Sequence, residues 1–248
     1  MKKSLHDIAF SFASPVEKRL FAEYGAIFVT KATAPPTIIF ANSQQVDAFQ
    51  TSLQISKATI GEYEMELQTG AMAALLSASE ELGRKGFTLT PRAEDSARRS
   101  YEQTVSLWQR NVNRGLEHWQ TEGLIDNERV ALIQALEPVE QVAVILEIEE
   151  QEEIFFGTFF NRSILYSVAA PGASQHLAML AFDVNEYRQE MVETLLNEHG
   201  WYRTVIHDLP HFTYLGHREE DLPQLGLKRV TLDYEEFSLR FWVPDVPA

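Results

Sequence analysis

Segments with helical spacing and segments with strand alternation follow one another irregularly, and no strand–helix–strand period runs through the 248 residues. A doubly wound parallel sheet requires that period. Its absence predicts an α+β fold, a single domain with an antiparallel sheet flanked by helices. Val46, Phe49 and Leu53 are spaced for a helix over 43–53 that Ser43 would cap. The Ala-, Leu- and Met-rich stretch 69–82 predicts a second helix, with Gly83 and Gly86 placed to end it. Val105, Trp108 and Val112 mark one face of a third, over 97–112, with Gly115 beyond it. Residues 127–136, 139–149 and 186–199 read as further helices. Strands are expected over 37–40, 87–90, 154–157, 163–168 and 180–184, then over 202–206, 212–215, 228–232 and 238–243.

A hydrophobic content of 45% is enough for a sizeable core at this length. The chain has no cysteine, so any metal site must be built from His, Asp and Glu. The formal net charge is −15 and no Lys/Arg stripe interrupts it. Nucleic acid needs clustered cations, and an anionic membrane surface attracts the same groups, so neither is an expected partner. No run reaches the roughly 18 apolar residues of a membrane span, so no membrane insertion is expected. Met1-Lys2-Lys3-Ser4 resembles the start of a secretory signal, but the following residues lack its unbroken apolar stretch. The acidic run 147–153 reads as a solvated helix face in preference to a cation site.

Two segments carry the chemistry. The first runs over 171–184, from Pro171-Gly172 through Ser174 and His176 to Asp183. The second runs over 208–216 and contains Asp208 and His211. Asp183 lies in an otherwise apolar strand, where a bare carboxylate would be strongly desolvated and needs a cation or several hydrogen bonds. The Pro-Gly turn can fold His176 back toward it, and His211 lies in another apolar segment. Two imidazoles and a carboxylate with an open fourth position make a catalytic zinc site, and a nearby acid outside the ligand set would serve as base.

The first segment resembles the S-x-H-x-x-G-x-A-x-D motif of zinc D,D-peptidases, the VanY-type D-alanyl-D-alanine carboxypeptidases whose fold is shared with hedgehog domains. Ser174, His176, Ala181 and Asp183 fall in its register. The second resembles the family's E-x-W-H-F-R-Y-V-G stretch through His211, Phe212, Tyr214 and Gly216. His199-Gly200-Trp201 is similar to the step placed between them, and Arg99-Ser100-Tyr101-Glu102 resembles the Y-R-S-Y-E motif. The resemblance covers roughly 70–216, the motif-bearing core of one domain over 1–248, with 1–65 packed on it as an extension.

It implies a zinc ion held by His176, Asp183 and His211, with Asp208 as the catalytic base. Arg99 and Ser174 would bind the substrate, a peptide and in particular a peptidoglycan stem peptide, and Arg98 competes with Arg99 as the counterpart of the family's arginine. It also implies a periplasmic or extracellular location. A zinc-containing but catalytically silent binding module of the same fold is the other expectation. Three departures bear on this choice: Met179 stands where the family has Gly, Asp208 where it has Glu, and Pro210 where it has an aromatic.

Blander readings stand beside these. A histidine in an apolar stretch is commonly a hydrogen-bonded core residue. Asp208 could cap a turn, Arg99 could be a surface helix cation, and Ser174 could bond nearby backbone. His207-Asp208-Leu209-Pro210-His211 imitates the H-E-x-x-H helix of zincins, but Pro210 would break that helix, which leaves His207 a neighbour of the site. The four tryptophans read as core or cleft wall.

Overall fold

The computed structural model describes Leu5, Phe12 and residues 14–234 and 237–246. The Met1–Ser4 stretch read against a secretory signal lies outside them. The chain opens with α1 (Pro15–Tyr24), started by Pro15 and by a reciprocal capping box between Ser14 and Glu17. Helix α2 (Ser43–Ser52) follows, and Asn42, one residue before the expected cap, accepts from the Gln45 N–H. The hairpin β1 (Ile55–Ile60) and β2 (Tyr63–Gln68) comes next, turning at Gly61, which has a φ of 60°. Then come α3 (Thr69–Arg84), α4 (Tyr101–Thr121), α5 (Asn127–Gln134) and α6 (Pro138–Glu152). The last third holds β3 (Ala181–Asp183), α7 (Glu190–Glu198), β4 (Trp201–Tyr202), β5 (His211–Tyr214), β6 (Leu227–Asp233) and β7 (Ser238–Pro244).

The α+β class holds, but among the described residues the strands form three small antiparallel sheets in place of one: β1-β2, β3-β5-β4 and β6-β7. Four expected strands are absent. Residues 37–40 form bends, with the Thr37 hydroxyl donating to the Ile39 carbonyl and the Phe40 N–H to the Gly172 carbonyl. Residues 87–90 are extended without a ladder, because the Thr90 N–H and hydroxyl both turn to the Glu186 carboxylate. Residues 154–157 and 163–168 are held by one buried carboxylate: Glu149 accepts from the Phe156 N–H, the Ile164 N–H and the Ser163 hydroxyl. The second of these stretches winds into a 3₁₀ turn, Ile164–Tyr166. The acidic run therefore divides, with Glu149 inside and Glu152 on the surface against Arg129.

Helix α4 starts later and ends later than its apolar spacing predicts. Ser100 caps it with Gln103, and Gly115 lies inside it instead of after it. A Cβ at Gly115 would lie 2.3 Å from the Phe156 ring, so glycine is required by helix-to-loop packing and not by termination. Gly83 likewise lies within α3, and Gly86 follows the helix with a φ of 81°.

Two large apolar clusters flank the β3-β5-β4 sheet. One joins α1, α4 and α6 around Trp108, Val142 and Phe156. The other joins α3 and α7 to the sheet through Leu75, Leu196, Phe182, Phe212 and Trp201. Side chains alternate across a strand, so Phe182 and Phe212, which are register partners, enter the second cluster together. Their neighbours Asp183 and His211, also register partners, then share the opposite face.

Candidate metal centre

The strand register places Asp183 and His211 side by side, and a turn brings His176 to them. After the bend at Pro171-Gly172 the chain winds through the 3₁₀ segment Gln175–Ala178 and reverses at Met179 into β3. Met179 adopts φ 55° and ψ 36°, the left-handed conformation that glycine enters without strain. The turn keeps a glycine-like path, with the methionine side chain buried beneath it.

One ligand atom from each of His176, Asp183 and His211 lies within 4.8 Å of the others, and all three residues are buried. His176 Nε2 is 3.3 Å from Asp183 Oδ1, and His211 Nδ1 is 3.1 Å from the same oxygen. The far nitrogen of each ring has its own acceptor. His176 Nδ1 lies 2.8 Å from the Ala97 carbonyl oxygen, and His211 Nε2 lies 2.9 Å from Gln175 Oε1. A carbonyl oxygen can only accept, so each far nitrogen carries its hydrogen there. The Gln175 amide is oriented in turn, because its Nε2 donates to the Tyr24 carbonyl at 2.9 Å and Thr213 donates to its oxygen. Both rings therefore aim a lone pair at Asp183. Such an arrangement repels itself unless a proton or a cation lies between the donors.

Two further features fit a cation. Among the described residues, His176 Nε2 is buried without a hydrogen-bond partner, despite its distance to Asp183. Burial, followed by the positive charge of Arg99, lowers the His176 pKa to about 4, so the ring is neutral and able to ligate at neutral pH. Burial opposes ionisation of Asp183, but the two histidines, where they carry or donate a proton to it, outweigh that and hold its carboxyl well below the usual range. The group can hold a metal ion, and a nitrogen–nitrogen–oxygen set without thiolate suits zinc.

Asp208 stands at the edge of this group, with Oδ2 4.0 Å from His211 Nδ1. Desolvation by surrounding protein, then the charge of Asp183, raises its pKa. Half of its side-chain surface (51%) still meets solvent, and screening there limits the rise. Residues 206–210 form turns, not the helix that a zincin motif needs, and the His207 ring packs 3.9 Å from that of Tyr166. The loop is anchored from inside by Arg203, fully buried, which donates to the Leu209 carbonyl, to Glu193 and to the Tyr187 carbonyl.

The structure separates the two candidate arginines. Arg98 points away, bonding Gln50 and Glu66. Arg99 lines the cavity and donates from Nη2 to Asp183 Oδ2 at 2.8 Å, with Nε facing Asp95. Among the described residues its Nη1 makes no hydrogen bond. Ser174 lines the same cavity and caps no N–H with its hydroxyl. Trp108, Trp201 and Trp242 belong to the core, and Trp119 packs against it.

The cavity, about 380 Å³, opens over His176, His211 and Asp208 and extends along α4 past Arg110 and Arg114. The motif comparison did not reach these two arginines or Gln175. Gln175 lies inside the motif segment, but its role depends on four contacts distant in sequence, to Tyr24, Thr204, His211 and Thr213. The arginines carry a weak signal in hindsight: with Leu107 and Asn111 they fall at helical spacing.

No family model matches the chain, and no curated protein matches it. Among solved structures it is similar to the LD-carboxypeptidase LdcB, whose structure is described as revealing the molecular basis of peptidoglycan recognition. Identity is 15% and the TM-score 0.36, over 66% of this chain and 64% of LdcB, so less than two thirds of that protein's length is matched. It is also similar to a mutant of the vancomycin resistance D,D-pentapeptidase VanY from a VanB-type cassette in complex with Zn(II). Identity there is 16% and the TM-score 0.35, over 72% of this chain and 88% of VanY. Both superpositions are loose, and the chemistry of the site rests on its own residues. Among the described residues, no helix is long and apolar enough to cross a membrane.

Proposed function

We propose that this chain is a zinc-dependent peptidase that cleaves the last bond of a short peptide, a D-alanyl-D-alanine carboxypeptidase or a related peptidoglycan stem-peptide hydrolase. The observation that carries the reading is the convergence of two tautomer-fixed imidazoles, both lining a cavity, on one buried carboxylate beneath it. His176 Nε2, Asp183 Oδ1 and His211 Nδ1 would hold the ion. When bound, zinc supplies Lewis acidity, which makes water a nucleophile near neutral pH and polarises a carbonyl.

The chain's own groups account for the rest. Asp208, at the solvent-facing edge, accepts a proton from the attacking water and returns it to the leaving amine. Arg99 spends Nη2 on Asp183, which leaves Nη1 to take the substrate's terminal carboxylate through one charge-assisted bond. Ser174, which lines the same cavity, would bond the substrate backbone. Residence outside the cytoplasm follows from that substrate.

A second reading is a zinc-holding binding module without turnover, favoured by the short Asp208 side chain 4.0 Å from His211. Two measurements decide. Elemental analysis of the wild type should find about one zinc per chain, and of His211→Ala far less. The zinc-loaded protein should then release D-alanine from D-Ala-D-Ala peptides. Tight binding of those peptides without release selects the module, and no zinc uptake removes both readings.

A further inference from the structure

The part of the cavity remote from the metal centre has the wrong sign for this protein. The chain carries a formal charge of −15, yet Arg99, Arg110 and Arg114 all line this one cavity. Among the described residues the only carboxylate lining it is Asp208, at the metal end. Arg110 and Arg114 lie four residues apart on α4, so their like charges are neighbours on one helix face, an arrangement that costs stability unless an anion offsets it. Among the described residues neither is in an ion pair. Arg114 rests on neutral groups, with Nη2 3.4 Å from the Thr158 carbonyl oxygen and its guanidinium 5.7 Å from the centre of the Phe160 ring. Both arginines are exposed, so neither is needed to build the core.

We infer that Arg110 and Arg114, with Asn111 between them, form a second anion-binding subsite, one that takes an acidic group of the peptide upstream of the bond being cut. The inference rests on the peptidase reading for the peptide and on the cavity for the subsite. Helix α4 begins at the metal centre, where the Arg99 N–H faces the His176 carbonyl. From Tyr101 to Arg110 and Arg114 is about 14 and 20 Å along the axis at the α-helical rise. An extended peptide covers that span in roughly four to six residues. The ligand class is therefore a short peptide with one carboxylate at its end, near Arg99, and another about four to six residues before it. Guanidinium forks hold carboxylates through paired hydrogen bonds, which gives the subsite selectivity for a carboxylate over an amide of the same shape.

The test uses the zinc-loaded full chain and a set of octapeptides ending in D-Ala-D-Ala, with the last peptide bond replaced by a methylene-amine link that cannot be hydrolysed. A single Glu is walked through the upstream positions, each peptide has a Gln twin, and affinities are read by titration calorimetry. At one position the Glu peptide should bind roughly tenfold or more tighter than its twin. Arg110→Gln/Arg114→Gln should erase that preference while leaving the Gln twin's affinity unchanged, and the lysine pair should restore only part of it. Equal affinities at every position, a preference that survives in the double variant, or no binding by any peptide overturns the inference. Hydrolysis of the ordinary peptides is measured separately. Charge-selective binding without hydrolysis removes the peptidase reading and keeps the subsite, whereas hydrolysis without charge preference does the reverse.

Discussion

Gln175 and His211 are joined by a bond from ring Nε2 to the amide oxygen at 2.9 Å, and this bond fixes which nitrogen His211 presents to Asp183. The amide cannot flip, because its nitrogen is committed to the Tyr24 carbonyl. Gln175→Met keeps the size of the side chain and removes the acceptor. Zinc affinity should fall by roughly 10- to 100-fold, the usual cost of losing an outer partner of a ligating histidine. Competition with a chromophoric chelator measures it, and unchanged affinity would show that the ring needs no such support.

Asp208 is outside the ligand set but within reach of the same space. Asp208→Asn should lower D-alanine release by about 10²- to 10⁴-fold, the range for loss of a general base. Zinc content should stay at the wild-type level. Loss of zinc alongside activity would instead make Asp208 a ligand, and full activity would exclude it as the base.

His176 has a folded-state pKa of about 4 against an ordinary value of 6.5. As pH falls between these values the unfolded chain takes up a proton that the folded chain refuses, so folding is disfavoured. The contribution is complete above 6.5 and is lost as pH falls through about 4. Asp183, also depressed, acts in the same direction at lower pH. Urea unfolding of chelator-treated protein at pH 7, 5.5 and 4.5 should show stability falling across this window, and His176→Gln should flatten the fall. An equal slope in both proteins would remove His176 as its source.

Met179 sets two opposed terms against each other. Glycine there would relieve about 1 kcal/mol of left-handed backbone strain. It would also empty a fully buried site, and removing a buried methionine side chain costs about 2–5 kcal/mol. The cavity term is larger, so Met179→Gly should destabilise the protein by roughly 1–4 kcal/mol. Denaturant midpoints measure this, and a stabilised variant would show that strain dominates.

The residue pattern alone located much of this protein. A buried-looking acid in an apolar strand, two histidines in apolar segments and a Pro-Gly turn between elements pointed to one group, because desolvated charge must be matched locally. The helices with strong apolar spacing were legible for the same kind of reason: a helix buries one face whatever it packs on. The β1-β2 hairpin went unread, although its alternation over 55–68 and Gly61 were visible signals. What only the tertiary structure decided depends on distant partners. Glu149 turned two strand-like stretches into loops by taking their N–H groups. Phe156 required Gly115 to lie inside a helix. Adjacent arginines were separated into one facing Glu66 and one facing Asp183. Local composition sets which segments must be buried, whereas each of these outcomes turns on a hydrogen bond or contact made only once the chain has folded back on itself.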